Sequence, residues 1–288
     1  MRRFFRKRDY IEVETPLRVA CPGIDPYIDA LPAGEGRFLA TSPELEMKKL
    51  LQSGLERIFQ LTRAFRADES GDLHHPEFSI LEWYSAGETY HDLMDRTEAL
   101  VRECAAALEE SGVPAVHPGW PNPFLRITVD DAFASHAGWE PSSSFDADRF
   151  FRDLVDRVEP GLAAEGAVFL YDYPEPVGSL ARRRPDDPLL CERFELYLDG
   201  IEICNGFTEL TDADEQRHRF ARDNGERERL GKAPYPVDAR FLTALESGLP
   251  SCAGNALGVD RLFLALTGSR RLGDVSLLSD ASAPGRGR

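Results

Sequence analysis

The stretch from Ile58 to Ser85, IFQLTRAFRADESGDLHHPEFSILEWYS, holds the densest concentration of chemically capable side chains in the sequence. Apolar and polar residues alternate in FQLTRAFRA and again in FSILEWY, with Gly71 and Pro76 between them. That pattern predicts two antiparallel strands joined by a long polar loop. A period of two puts Phe78, Ile80, Glu82 and Tyr84 on one face, so a carboxylate and a phenol share an apolar wall and need a cationic partner. At the loop end Arg66, Asp68, Glu69 and His74 gather charge that a turn does not require. The combination suggests a site for a ligand that carries both signs.

Two further stretches carry chemistry. In ERFELYLDGIEICN, residues 192–205, Asp199-Gly200 signals a type I′ turn. With Leu198 opposite Ile201, Tyr197 faces Glu202 and Glu195 faces Cys204, which makes the two glutamates diagonal neighbours roughly 7–8 Å apart. Such a pair can clamp Mg²⁺ at about 2.1 Å per oxygen; an exposed acidic strand face is the plainer alternative. Near the end of the chain Gly254, Gly258 and Asp260-Arg261 lie where a strand becomes a helix, so that a helix N-terminus and an arginine both face an anion.

The elements that must hold these residues are legible in outline. The basic and aromatic residues Met1 to Arg8 read as a helix, followed by a strand from Ile11 to Val13 that Pro16 stops. A strand from Phe38 to Ala40 leads into Thr41-Ser42-Pro43-Glu44, which opens a helix running to Gly54. Thr41 as N-cap and Glu44 at N3 form a capping box, although a carboxylate at that point can equally receive an ammonium group. Glu88 to Ser111 is an amphipathic helix with Leu93, Leu100 and Ala107 on its buried side. A strand from Phe124 to Val129, two short helices around the loop Trp139 to Ser144, and a strand from Val168 to Tyr171 follow.

Composition narrows the function classes. A chain of 288 residues with 42% hydrophobic content can build a sizeable core. Fifty acidic against 34 basic residues give a net charge of −16, which opposes binding a polyanion through phosphate contacts. Cys21, Cys104, Cys191, Cys204 and Cys252 are odd in number and irregular in spacing, so they read as free thiols of a cytoplasmic protein. No apolar run reaches membrane-spanning length and the N-terminus lacks a secretory signal. His74 and His75 do not make a zinc site, because adjacent histidines cannot easily share one tetrahedral ion and no third ligand is spaced for it.

FRAD, HHPEF and LEWY, in this order, resemble motif 2 of the class II aminoacyl-tRNA synthetases in its lysine-specific form, where an FRxE arginine, a histidine, PEF and E-x-Y recur. YIEVETP is similar to motif 1 and GNALGVDRLFLAL to motif 3, so the resemblance covers nearly the whole chain. Among relatives of lysyl-tRNA synthetase it is most similar to the elongation factor P lysine lysyltransferases, whose G-x-A-x-G-x-D-R it shares through Ala256 and whose Gly178-Ser179-Leu180 it also carries.

The resemblance implies an α+β fold, the class II catalytic core, with an antiparallel sheet flanked by helices. It implies one catalytic domain over residues 1–275 with a helical insertion at about 113–165, and a C-terminal tail over 276–288. Its expected activity is ATP-dependent activation of lysine or β-lysine and transfer to a lysine of elongation factor P, without tRNA or membrane and as a homodimer. By the same resemblance Arg66 and Arg261 are catalytic, and Arg66, Asp68, His74, Phe78, Glu195 and Arg261 bind ATP. Ser42, Glu44, Glu82, Tyr84, Asn205, Glu209 and Ala256 bind lysine, and Glu195 and Glu202 hold Mg²⁺. A lysyl-tRNA synthetase catalytic domain is the alternative, which Ala256 opposes. A silent, ligand-binding paralogue is opposed by the intact phosphate and metal residues.

Overall fold

This computed structural model describes residues 1–115 and 120–275. The chain opens with α1 (Arg2–Arg6), β1 (Ile11–Glu12), the short ribbon β2 (Arg18–Val19) and β3 (Phe38–Leu39), and α2 (Glu44–Gln52). The first hairpin, β4 (Arg57–Phe65) and β5 (Glu77–Ala86), precedes α3 (Tyr90–Glu110), β6 (Leu125–Thr128), the helices α4 (Val129–Ala137), α5 (Ala147–Asp153) and α6 (Glu159–Glu165), and β7 (Ala167–Pro174). The second hairpin, β8 (Leu190–Leu198) and β9 (Ile201–Thr208), is followed by α7 (Ala213–Arg229), α8 (Ala239–Glu246), β10 (Cys252–Gly258), α9 (Val259–Thr267) and α10 (Leu272–Val275). The expected C-terminal tail lies outside the described residues.

Eight strands form one sheet in the order β1-β4-β5-β10-β9-β8-β7-β6. From β4 to β7 every pairing is antiparallel, and the edge pairings β1–β4 and β6–β7 are parallel. The sheet separates its residues by parity. Phe59, Leu81, Trp83, Leu196 and Leu257 point to one side, where Phe4 and Phe5 of α1, Leu93 and Leu100 of α3 and Leu262 of α9 cover them. The other side carries Glu82, Ala256, Asn205 and Glu195 in one row across four strands, because each is the register partner of the next. Partners directly opposite one another share a face, so four residues far apart in sequence become neighbours. Two smaller cores flank this row. One lies under α2, α7 and α8, and the other joins α4, α5 and α6 to β7 and β8.

Local structure departs from the sequence reading in three places. Residues 41–44 do not form a capping box. The first residue of α2 is Glu44, the Thr41 hydroxyl donates to the Pro22 carbonyl, and Ser42 Oγ accepts from the Glu44 amide at 3.0 Å. The capping box is found at α3 instead, where the Asp92 carboxylate accepts from the Thr89 amide at 2.8 Å. On α3 Leu93 and Leu100 are buried as expected, but Ala107 is exposed, and Val101 and Ala105 are buried instead. In the second hairpin the turn is as expected, with Asp199 and Gly200 at φ of 50° and 81°. A β-bulge at Ile203 then shifts the register, so Glu195 faces Asn205 rather than Cys204. One unpaired residue moves everything beyond it by a position, which turns both Glu202 and Asn205 toward the same side.

Candidate active site

The polar face of the sheet floors a cavity of about 490 Å³, also lined by the loop from Cys21 to Ile28 and by Phe151 of α5. Tyr27 and Phe151 meet edge to face across its mouth, with ring centroids 5.4 Å apart. The walls have opposite chemistry at the two ends.

One end is acidic and dry. Glu82 on β5 is 0% exposed; its Oε1 accepts from Ser42 Oγ at 2.6 Å and its Oε2 from the Tyr84 hydroxyl at 3.1 Å. Burial first, and then the charge of Glu44, pushes its carboxyl up to about 8. A buried carboxylate resists ionisation until a cation joins it. Glu44, in the first turn of α2, accepts from Lys48 Nζ at 2.6 Å one turn later, and Lys48 also contacts the Glu209 carboxylate. Burial pushes Glu209 up to about 8, while Lys48 opposes that rise. Neither Glu209 oxygen accepts a well-aligned hydrogen bond, although Oε2 lies in ion-pair contact with Lys48. Gly254 is required beside it, since a Cβ there would collide with the Tyr84 ring and the Glu209 carboxylate.

The other end is basic. Arg66, just past β4, lies 5.1 Å from the centroid of the Phe78 ring and 3.7 Å from the Glu69 carboxylate. Its Nε is buried with no acceptor, and an unpaired buried donor is costly unless a ligand satisfies it. Arg261 stands in the first turn of α9, where it donates to the Glu202 carbonyl at 3.1 Å and carboxylate at 3.2 Å and to the His74 ring nitrogen. Burial, then Arg261, holds His74 below its ordinary value, so its ring stays neutral and accepts. Asp260 ties α9 to β5 by accepting from the Ser79 amide at 2.7 Å. The helix N-terminus adds positive potential at the same point.

Between the ends Glu195 and Glu202 both line the cavity. Glu195 is engaged by Arg193 at 2.6 Å and by the hydroxyls of Tyr173 and Tyr197 at 2.6 and 2.7 Å. Glu202 is the freer of the two, its side chain 40% exposed beside Arg261. A third acid, Glu159 of α6, is pushed up to about 7 by its own burial and by the charges of Glu202 and Glu195. Such mutual repulsion, between hard oxygen donors, suits a hard divalent cation. No group of three acids, histidines or cysteines among the described residues could enclose an ion unaided, so phosphate or water oxygens would have to complete its shell.

Of the residues expected from the sequence, Ser42, Glu44, Arg66, His74, Phe78, Glu82, Tyr84, Glu195, Glu202, Asn205, Ala256 and Arg261 all line this one cavity, and so do Ser179 and Leu180. Two expected residues do not. Asp68 is exposed at a φ of 60°, and its neighbour Glu69 occupies the wall in its stead. Glu209 sits behind the wall on Lys48. The sequence reading missed Lys48, Arg193 and Glu159. Lys48 had a signal, the i, i+4 Glu-to-Lys spacing in ELEMK. Glu159 had none, since the packing of α6 on the second hairpin is what brings it near.

The chain matches the family model of class II tRNA synthetases (D, K and N) over residues 1–281. It is 38% identical over 96% of its length to elongation factor P–(R)-β-lysine ligase of Proteus mirabilis, covering 90% of that protein. The corresponding ligase of Pectobacterium atrosepticum is 38% identical over 97% of this chain and 91% of its own, and that of Yersinia enterocolitica 36% over 96% and 90%. With its three motifs in order around an antiparallel-dominated sheet, the chain belongs to the class II tRNA synthetase (D, K and N) family, with the elongation factor P–(R)-β-lysine ligases as its near relatives.

Proposed function

We propose that this protein is an ATP-dependent ligase that activates (R)-β-lysine or lysine as the aminoacyl-adenylate and transfers it to a lysine side chain of elongation factor P. The observation that carries this reading is a single cavity with buried acids at one end and two arginines at the other, one of them with an unpaired buried Nε. Ammonium groups suit the first end and phosphates the second.

In the first step the amino-acid carboxylate attacks the α-phosphorus of ATP in line, and pyrophosphate leaves. No protein nucleophile is needed, so the chain's contribution is positioning and charge stabilisation. Arg66 bridges carboxylate and α-phosphate, Arg261 and His74 hold the outer phosphates, and Phe78 stacks on the adenine. Glu82, Tyr84, Ser42 and Glu44 orient the ammonium groups, with Asn205 and Ala256 on the floor. Glu195 and Glu202 would hold Mg²⁺, which when bound neutralises charge on the departing pyrophosphate. In the second step an uncharged acceptor amine attacks the adenylate carbonyl, AMP departs, and the nitrogen gives up its extra proton.

The net charge of −16 favours a protein acceptor over tRNA. We read residues 1–275 as one catalytic domain with a helical insertion, working as a cytoplasmic homodimer; no helix among the described residues is long and apolar enough to cross a membrane. The test incubates enzyme, ATP and labelled lysine or (R)-β-lysine with elongation factor P and, in parallel, with tRNA-Lys. Label on the protein is expected. Label on the tRNA alone would overturn the reading in favour of a lysyl-tRNA synthetase.

A further inference from the structure

The acidic end of the cavity contains a cation of its own. Lys48 is 1% exposed, which is rare for a lysine on the second turn of a helix. Its ammonium bridges Glu44 and Glu209, residues that come from α2 and from just beyond β9, and it lies 5.2 Å from the Phe207 ring centroid and 6.0 Å from that of Phe241. An ordinary i, i+4 pair lies in solvent and contributes little. This one is enclosed, and it joins the two carboxylates that flank Tyr84 and Glu82.

Counting charge gives the bridge a meaning. Glu44, Glu82 and Glu209 contribute three negative charges when ionised, and Lys48 leaves two. A diamino acid brings two ammonium groups to this end, its carboxylate going to Arg66. Resting on the function proposed above, we propose that Lys48 is a specificity-setting positioning residue: its buried ammonium fixes Glu44 and Glu209 and trims the pocket to two net negative charges, the complement of a substrate with two ammonium groups. Lys48 lies behind the cavity wall and acts through the two glutamates it holds. The raised carboxyls of Glu82 and Glu209, both at about 8, agree with this count, since an empty pocket keeps protons that two substrate ammonium groups replace.

The experiment compares Lys48→Met, Glu209→Gln and the double variant in amino-acid-dependent pyrophosphate exchange, with thermal unfolding and the KM for ATP as controls of folding. Lys48→Met is expected to raise the KM for lysine or (R)-β-lysine about tenfold, with kcat and the KM for ATP within about threefold. Glu209→Gln leaves one net negative charge and is expected to raise that KM about a hundredfold. The deciding result is the double variant, which restores two net negative charges. It is expected to bind the amino acid about tenfold better than Glu209→Gln, so that removing Lys48 improves binding. A lysine that only supports the fold would make the double variant equal to or worse than Glu209→Gln, and that result overturns the proposal. The comparison stands even if Lys48→Met fails to fold, because the double variant removes both fully buried members of the bridge, and the Glu44 that remains is 24% exposed. Wild-type protein with no exchange driven by either amino acid would instead remove the functional reading, and this proposal with it.

Discussion

The two ends of the cavity are built on contrary principles. At the acidic end, carboxylates are buried together around one lysine, and burial holds Glu82 and Glu209 near 8, so they resist ionisation. At the basic end the arginines are partly exposed, and Arg261 already rests on Glu202 and His74. A dry site with a net charge of one sign discriminates strongly, because a ligand lacking the matching charge leaves a buried ion unpaired. A wetter site of mixed sign holds many phosphorylated ligands and selects less. On the proposed function, the contrast assigns specificity to the acidic end and rate to the basic end.

The largest effect should come from breaking the basic end. Arg66→Ala or Arg261→Ala is expected to reduce pyrophosphate exchange to background, a loss of at least roughly 10³-fold, since one missing donor to developing charge already costs about 10²–10³. Near-normal exchange in both folded variants would mean that the ATP site lies elsewhere. Next in size is Glu82→Gln, which should raise the KM for the amino acid by about thirtyfold to several thousandfold while the KM for ATP stays nearly constant. An unchanged amino-acid KM would reduce Glu82 to a buried strand acid.

The contrast also has a pH signature. Glu82 and Glu209 are raised from 4.5 to about 8, so between those values the folded, substrate-free protein holds more protons than the unfolded chain. Its stability therefore falls as pH rises through that window and levels off above about 8. Thermal unfolding from pH 6 to pH 9 should show a decline of several degrees, and saturating lysine or (R)-β-lysine should flatten it. A decline that the amino acid leaves intact would detach these carboxyls from the substrate site.

The smallest expected effects separate two adjacent acids at the basic end. Glu69→Gln should lower exchange by about threefold to tenfold through its 3.7 Å contact with Arg66, whereas Asp68→Asn, exposed and off the wall, should change it by about twofold or less. The reverse order in steady-state kinetics would return Asp68 to the ATP site.

Much of this site could be read from local pattern. Alternation along FSILEWY was enough to put Phe78, Ile80, Glu82 and Tyr84 together, because β4–β5 keeps an unbroken register over nine residue pairs. The same argument failed on the second hairpin, where one unpaired residue at Ile203 exchanged Cys204 for Asn205 opposite Glu195. Nothing in LDGIEICN marks a bulge, since its gain arises from which face each side chain meets. The capping box at Thr41 failed for a related reason: Thr41 found its partner on another segment, the Pro22 carbonyl, and Glu44 turned along its own helix to Lys48, which tertiary packing encloses.

By itself the sequence determined the two hairpins, the helices α1, α2 and α3, the three motifs and their order, the strand-to-helix passage at Gly258, and the types of charge that gather along the chain, while it left α7 and α8 unread. These follow from period, turn chemistry and composition, which depend on residues a few positions apart. Tertiary structure alone decided that Lys48 is enclosed with Glu44 and Glu209, that Glu159 of α6 lies near Glu202, and that Asp68 gives way to Glu69 on the wall. Each depends on how much water remains beside a charge. Residues from about forty to well over a hundred positions apart set that quantity, once the sheet and the helices packed on it have brought them together.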